Sequence, residues 1–306
     1  MIAIISSKPN VGIVQDDLCL LEMLQSKGYT AEIVAWEDTA VDWGTIETAV
    51  IRSAWGYQHN MEAFLAWLSM TEEKGICLLN DANTVRRNIY KNKQFAALEA
   101  LRLPLLETVF LSHDKNENTM LPAASLQETT EKYFDTAKKQ HFVLKPIVSA
   151  SGHDTMLFDL ANPVSYKKAE ASFQTLLAKK EKIGVMLQPF YEEVVAGEYS
   201  VIYLSGEYNH AVRRFPGVLA EKKTAQAIAQ LPPQVAGLAE EVAEKTNVHA
   251  LAYARIDILE TKDAVHLMEL ELTEPALFFC GTEGKEVGEV TLGKFADIII
   301  NAKKGI

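Results

Sequence analysis

The sequence predicts an α/β protein with a parallel N-terminal α/β domain followed by α+β segments. Three observations carry that expectation. Residues 2–5, 16–27 and 31–35 read as strand, helix and strand, the unit that builds parallel sheets. Near the other end, His266-Leu267-Met268-Glu269-Leu270-Glu271-Leu272-Thr273-Glu274-Pro275 alternates apolar and polar residues, like a half-buried strand stopped by a proline. The chain's 306 residues, 48% hydrophobic and 23% charged, suffice for two or three compact units with large cores. The expected divisions are 1–82, 83–187 and 188–306.

Composition excludes several classes. A net charge of −11 leaves no excess of Lys and Arg to cover nucleic-acid phosphates or an anionic membrane, although a pocket for one small anion stays open. Cys19, Cys77 and Cys280 have no metal-ligand spacing and read as reduced small hydrophobes. The start lacks the basic region of a signal peptide, and no run is long enough to span a membrane. A cytoplasmic location follows as an expectation.

In order, 2–5 reads as a buried strand, and 16–27 as a helix with Leu18, Leu21 and Leu24 inward, stopped by Gly28. Strands at 31–35 and 49–52 follow. Arg52, Trp55 and Tyr57 then stand at a strand's carboxyl end, where open parallel sheets bind ligands; the alternative is ordinary loop packing. Residues 61–73 read as a helix, 76–79 as a strand, and 84–101 as a largely helical stretch. A strand at 105–111 and an amphipathic helix at 125–139 come next. The strand 141–146 delivers Lys145 to the small polar loop 149–155, where Gly152 permits close backbone approach. A helix is expected over 163–182 and an apolar strand over 185–190, where Gln188 either meets a base edge or is satisfied internally. Residues 198–215 read as a hairpin turning at Gly206, with Arg213 and Arg214 on opposite faces. A helix broken near Pro232 is expected over 224–246, then the strand 251–259, and a closing helix over 287–302.

The strand 251–259 decides the chemistry, because its register with 266–275 sets which charges meet. A two-residue loop would set Asp257 opposite Met268. An odd loop would set Arg255 opposite Glu269 and Asp257 opposite Leu267, with Arg255, Asp257, Glu269 and Glu271 on one face, and is the expectation. Glu269 and Glu271 then project roughly 6–7 Å apart along the strand. Like charges that close favour a cation between them. Three oxygen ligands on adjacent strands suit Mg²⁺, and lysines suit phosphates, the core of phosphoryl transfer.

These residues resemble the ATP-grasp superfamily, in the branch around bacterial glutathione synthetase. The likeness rests on Asn88-Ile89-Tyr90-Lys91, Phe142-Val143-Leu144-Lys145-Pro146, the loop 149–155, Gln188-Pro189-Phe190, Gly197-Glu198-Tyr199-Ser200, and the acids Asp257, Glu269 and Glu271. Tyr90 stands where an acid is common, the loop is glycine-poor, and Glu271 replaces an asparagine. The resemblance implies an ATP-grasp fold: an N-terminal parallel α/β domain, a central lid and a C-terminal α+β domain. It implies ATP with Mg²⁺, or Mn²⁺ in its place. Lys91, Lys145, Ser149, Ser151, Gly152 and Asp154 would attend the phosphates, Gln188, Pro189 and Phe190 the adenine, and Glu198 the ribose. Asp257, Glu269 and Glu271 would hold the metal. Arg255 and Arg213 would be catalytic, and Arg52, Tyr57, Arg214 and Glu274 would face the substrate.

A narrower likeness is to the cycloserine-forming O-ureidoserine cyclo-ligase branch. It is carried by Arg52-Ser53-Ala54-Trp55-Gly56-Tyr57, by 145–150 with Asp154-Thr155, by His210-Ala211-Val212-Arg213, and by 268–275. The implied activity is ATP-dependent ligation of an amino-acid-like carboxylate to an amine-type nucleophile, or onto itself, through an acylphosphate. A phosphotransferase and a silent nucleotide-binding regulator are the rivals. The implied partner is a small amino-acid-like molecule, with neither nucleic acid nor membrane; a homo-oligomer is compatible.

Overall fold

The computed structural model describes residues 1–112, 120–122, 125–149, 154–178, 184–215, 224–280 and 288–302. The first segment holds β1 (Ile2–Ser6), α1 (Gln15–Ser26), β2 (Ala31–Ala35), β3 (Thr48–Ser53), α2 (Met61–Glu73), β4 (Cys77–Leu79) and α3 (Ala82–Asn88). The strands form a parallel sheet in the order β2-β1-β3-β4. Every residue of β1 and β3 is buried, as a sheet covered on both faces requires. Gly28, at φ +84°, takes the left-handed turn that ends α1. Asn60 caps α2 by accepting from Ala63 N at 3.3 Å.

The next segment holds α4 (Lys91–Ala100), β5 (Val109–Ser112), β6 (Leu121–Pro122), α5 (Leu126–Tyr133), β7 (His141–Pro146), β8 (Met156–Asp159), α6 (Pro163–Ala178) and β9 (Val185–Pro189). Its sheet runs β6-β5-β9-β7-β8 over a core of Phe142, Leu144, Phe158, Phe173 and Leu187. The helical stretch expected over 84–101 is broken, because Ile89 turns inward and Tyr90 is extended. The helix expected over 125–139 starts on a Ser125–Glu128 capping box but stops after Tyr133. Phe134 takes extended backbone and buries its ring 5.3 Å from that of Phe142, so packing overrides helical pattern.

The last segment holds β10 (Glu198–Leu204), β11 (Glu207–Phe215), β12 (Thr224–Ile228), α7 (Pro233–Lys245), β13 (Tyr253–Glu260), β14 (Val265–Glu271) and α8 (Gly288–Asn301). Its antiparallel sheet runs β12-β11-β10-β13-β14. The helix expected over 224–246 is corrected in its first part. Thr224–Ile228 pairs with β11 as an edge strand, and the helix begins only at Pro233. Alanine-rich composition favours helix locally, but the open edge of β11 captures the segment.

Contacts divide the chain into two compact units: residues 1–88 with 193–306, and residues 89–192. The first unit joins both ends of the chain on one core, with Ile4, Leu24 and Val50 packed among Ile202, Tyr253, Phe279 and Phe295. Cys19 and Cys280, expected as separate reduced thiols, are joined in a disulfide across that unit; Cys77 is free of one. Among the described residues no helix is long and apolar enough to cross a membrane.

Candidate active site

The register of β13 and β14 builds the centre of the site. Glu260 pairs with Val265, so the connection is the four residues 261–264, an even loop and not the odd one expected. Continued straight, that register would set Asp257 opposite Met268. A bulge intervenes: pairing passes from Ile258–Leu267 to Asp257–Glu269, leaving Met268 as the extra residue. Asp257 then faces Glu269, and Arg255 faces Glu271. The expected charged face therefore forms, with pairing partners two residues further along β14. The bulge also moves Leu267 to the apolar face, where it is buried with Leu270.

Asp257 is buried and gripped from three sides. Arg255 Nε donates to its Oδ1 at 2.9 Å and Arg255 Nη2 to its Oδ2 at 3.0 Å. Arg214 Nη2 donates to Oδ2 at 2.8 Å, and Ser200 Oγ to Oδ1 at 2.7 Å. Burial alone would raise its pKa. The Arg214 and Arg255 charges, with the Arg255 and Ser200 hydrogen bonds, outweigh burial and hold it at about 2. For Arg255, burial works against the charge, but Asp257 more than restores it and holds its pKa above the usual guanidinium value. Arg214 Nη2 also pairs with Glu198 Oε1 at 2.6 Å, across the β10–β11 ladder.

The two adjacent arginines have different jobs. Arg214 stands among the acids. Arg213, the expected catalytic residue, points the other way: its Nε donates to Ala196 O at 2.8 Å, its Nη1 to Tyr199 Oη at 3.0 Å, and its guanidinium lies 4.8 Å from the Tyr199 ring centroid. It braces β10 and takes no part in the acidic cluster.

Tyr57 and Glu274 do come to the acidic strand. Burial first, then the Glu274 and Glu271 charges and a hydrogen bond to Glu274, push the Tyr57 hydroxyl well above its ordinary pKa. Glu271 Oε1 accepts from Thr273 N at 3.0 Å. Arg52 is committed elsewhere. Its Nη2 donates to Pro275 O at 2.6 Å, and its guanidinium lies 5.5 Å from the Tyr253 ring and 5.6 Å from the Phe295 ring. At 4% exposure it fastens the turn after Glu274.

Sequence reasoning missed Asp17, Ser53, Asn80 and Asn88. Asp17 is buried on the same stripe of α1 as Leu20 and Leu24 and accepts from Ser53 Oγ, which lies 2.6 Å from Ser6 Oγ. A lone acid at i on an i, i+3, i+7 apolar stripe was the available signal. Asn80 Nδ2 donates to Tyr253 O and Leu272 O, both at 2.9 Å, and no pattern in the sequence announces it.

In the 89–192 unit, Lys145 Nζ donates to Gln188 Oε1 at 3.3 Å, and Gln188 Nε2 to Thr108 Oγ1 at 2.8 Å. Gln188 is thus engaged at both ends. Pro189 ends β9, and Phe190 N donates to His141 O at 2.8 Å. Lys91 is the first residue of α4. Ser149 and Asp154 flank residues 150–153; Ser151 and Gly152 lie outside the described residues.

Among the described residues no three Asp, Glu, His or Cys side chains converge to hold a metal ion. The oxygens of Asp257 are instead engaged by two guanidinium groups. The donor chemistry nonetheless fits a hard, oxygen-seeking cation: Glu269 and Glu271 share a face, with Asp257 across the ladder.

Residues 116–280 match the family of the prokaryotic glutathione synthetase ATP-grasp domain, and residues 2–80 that of the N-terminal domain of D-cycloserine synthetase DcsG. The chain is 26% identical over 299 residues to the cycloserine biosynthesis protein DcsG of Streptomyces lavendulae, covering 90% of this chain and 92% of that one. Among solved structures it is similar to D-cycloserine synthetase DcsG, with TM-score 0.79, 23% identity and 99% of both chains covered. It is also similar to a Bacillus anthracis D-alanine–D-alanine ligase complexed with ATP, with TM-score 0.67, 12% identity, and 99% of this chain and 97% of that one covered. The two structures share the fold. The glutathione synthetase match spans more than half of the sequence, and so the chain belongs to the prokaryotic glutathione synthetase ATP-grasp family and is an ATP-grasp, ADP-forming ligase.

Proposed function

We propose that this ligase phosphorylates the carboxylate of an amino acid or small amino-acid derivative and closes the acylphosphate onto an amine-type nucleophile of the same molecule. The observation that carries the reading is the face where Arg255 and Asp257 oppose Glu271 and Glu269. Intramolecular closure is favoured over joining two molecules by the N-terminal match to the DcsG domain, together with similarity to a cycloserine biosynthesis protein over nearly the whole chain.

Glu269 and Glu271 would hold Mg²⁺, with Asp257 as third ligand once it exchanges a guanidinium for the cation. Bound Mg²⁺ would neutralise phosphate charge and polarise the transferred group. Arg255 and Arg214, one of them released from Asp257 by that exchange, would stabilise negative charge on that group, as preorganised cations do. Lys91 and Lys145 are the proposed phosphate partners, beside Ser149 and Asp154. Gln188, Pro189 and Phe190 are proposed for the adenine, and Glu198 for the ribose. Tyr57 and Glu274 would meet the amine end of the substrate, since a buried carboxylate favours an ammonium ion.

The test is phosphate release from Mg-ATP across a panel of amino acids and serine derivatives, singly and in pairs. Stimulation by one compound alone is the expected result. A required pair would show intermolecular ligation, and a stable phosphorylated product would overturn the acyl-transfer reading. Glu269→Ala should lower turnover about 100-fold or more while the protein stays folded. Near-normal turnover by that variant would remove the metal assignment.

A further inference from the structure

Asn88 ends α3, and its carboxamide lies against the open edge of β14. Its Nδ2 donates to Leu270 O at 2.7 Å, and Leu272 N donates to its Oδ1 at 2.9 Å. Thr273 Oγ1 donates to the same Oδ1 at 3.0 Å. A planar amide that both donates to and accepts from one strand reproduces the pairing of a neighbouring strand. Among the described residues β14 is an edge strand bonded only to β13 in its sheet, and it ends at Glu271. The two peptide groups that Asn88 holds are those on either side of Glu271, and Leu270 separates Glu271 from Glu269. A strand end paired on one side only would fray at this point.

We propose that Asn88 is a positioning residue for the divalent cation: from the edge of β14 it fixes the backbone that aims Glu269 and Glu271. The inference rests on reading those two glutamates as metal ligands. Asn88 is 8% exposed and its carboxamide is uncharged, so it holds the strand by geometry without competing for the cation. Groups that orient ligands from behind typically change metal affinity about 10–100-fold when removed. The next residue, Ile89, begins the second compact unit, so Asn88 is the last residue of this stretch that belongs to the first.

The test is calorimetric titration of ADP into the full chain over a series of free Mg²⁺ concentrations, which needs no substrate. In Asn88→Ala the Mg²⁺ concentration giving half of the gain in ADP affinity should rise about tenfold, with metal-free ADP affinity unchanged. Thr273→Val is nearly isosteric and removes only the hydroxyl that orients the amide. It should shift the same midpoint by about threefold, and it decides the matter if Asn88→Ala does not fold. Glu269→Gln separates the two failures. An unchanged Mg²⁺ midpoint in Glu269→Gln would defeat the metal reading and this inference with it. A shift there, with wild-type midpoints in Asn88→Ala and Thr273→Val, would leave the metal reading standing and reduce Asn88 to a fastener. Equal loss of ADP affinity with and without Mg²⁺ in Asn88→Ala would overturn the inference as well.

Discussion

Asp17 and Asp257 are buried carboxylates whose charges pull stability in opposite directions with pH. At Asp17 burial raises the pKa from 3.8 to about 6, and the Ser53 hydrogen bond and Arg52 charge offset only part of that. The folded chain therefore binds this proton more tightly than the unfolded one. Its contribution is fully present below pH about 4 and is lost as pH rises from about 4 to about 6. At Asp257 the folded value is depressed, so its contribution is present above pH about 4 and is lost as pH falls toward about 2. Asp17→Asn keeps an acceptor for Ser53 and removes the charge. It should raise the thermal midpoint at pH 7, by the equivalent of on the order of 2 kcal/mol, and change it little at pH 4. Melting curves of the two proteins across that range check this. A constant difference at all pH values would mean that Asp17 does not titrate there.

The β13–β14 hairpin tests how far strand geometry, apart from residue identity, makes the site. Because Met268 is the extra residue of the bulge, deleting it should leave Asp257 opposite Glu269 with a regular ladder. Mg²⁺-dependent ADP binding should then stay within about threefold of wild type. A loss as large as that of Glu269→Gln would show that the bulge itself aims the glutamate. The hairpin also marks what could be read in advance. Alternation in 266–275 announces the strand and its acidic face, and the lysine and acid motifs announce the ATP-grasp fold. The bulge is hidden because Met268, Leu270 and Leu272 keep one unbroken alternation, and the lone out-of-phase Leu267 is too little to mark a change of register. β12 was hidden because Ala225 and Ala227 favour a helix, whereas only the edge of β11 makes them a strand. The separate roles of Arg213 and Arg214 depend on neighbours brought by distant segments, Ala196 and Tyr199 for one, Glu198 and Asp257 for the other. Asn80 pairs with backbone, and Asn88 with backbone and the Thr273 hydroxyl of a distant segment, so neither leaves a local pattern in the sequence.

At the scale of the molecule, one compact unit is assembled from both ends of the chain, and its fastenings are correspondingly long-range. Cys19 and Cys280 are 261 residues apart in sequence, and the loop they close contains the whole 89–192 unit. Beside them Asp16 accepts from Phe279 N at 3.3 Å and from Cys280 N at 2.9 Å, while Lys27 pairs with Asp297 at 2.8 Å. Exposed ion pairs of that kind contribute little. The covalent link acts mainly on the unfolded chain, whose freedom it restricts, with a typical effect of about 2–4 kcal/mol. For a chain of this length that corresponds to a thermal midpoint about 4–8 °C lower in the presence of a reductant. Cys19→Ser should show the lower midpoint with or without reductant, and Cys77→Ser should retain the wild-type response. If reductant leaves the wild-type midpoint unmoved, the thiols are not joined in solution, and the union of the two chain ends then rests on the shared core around Tyr253, Phe279 and Phe295.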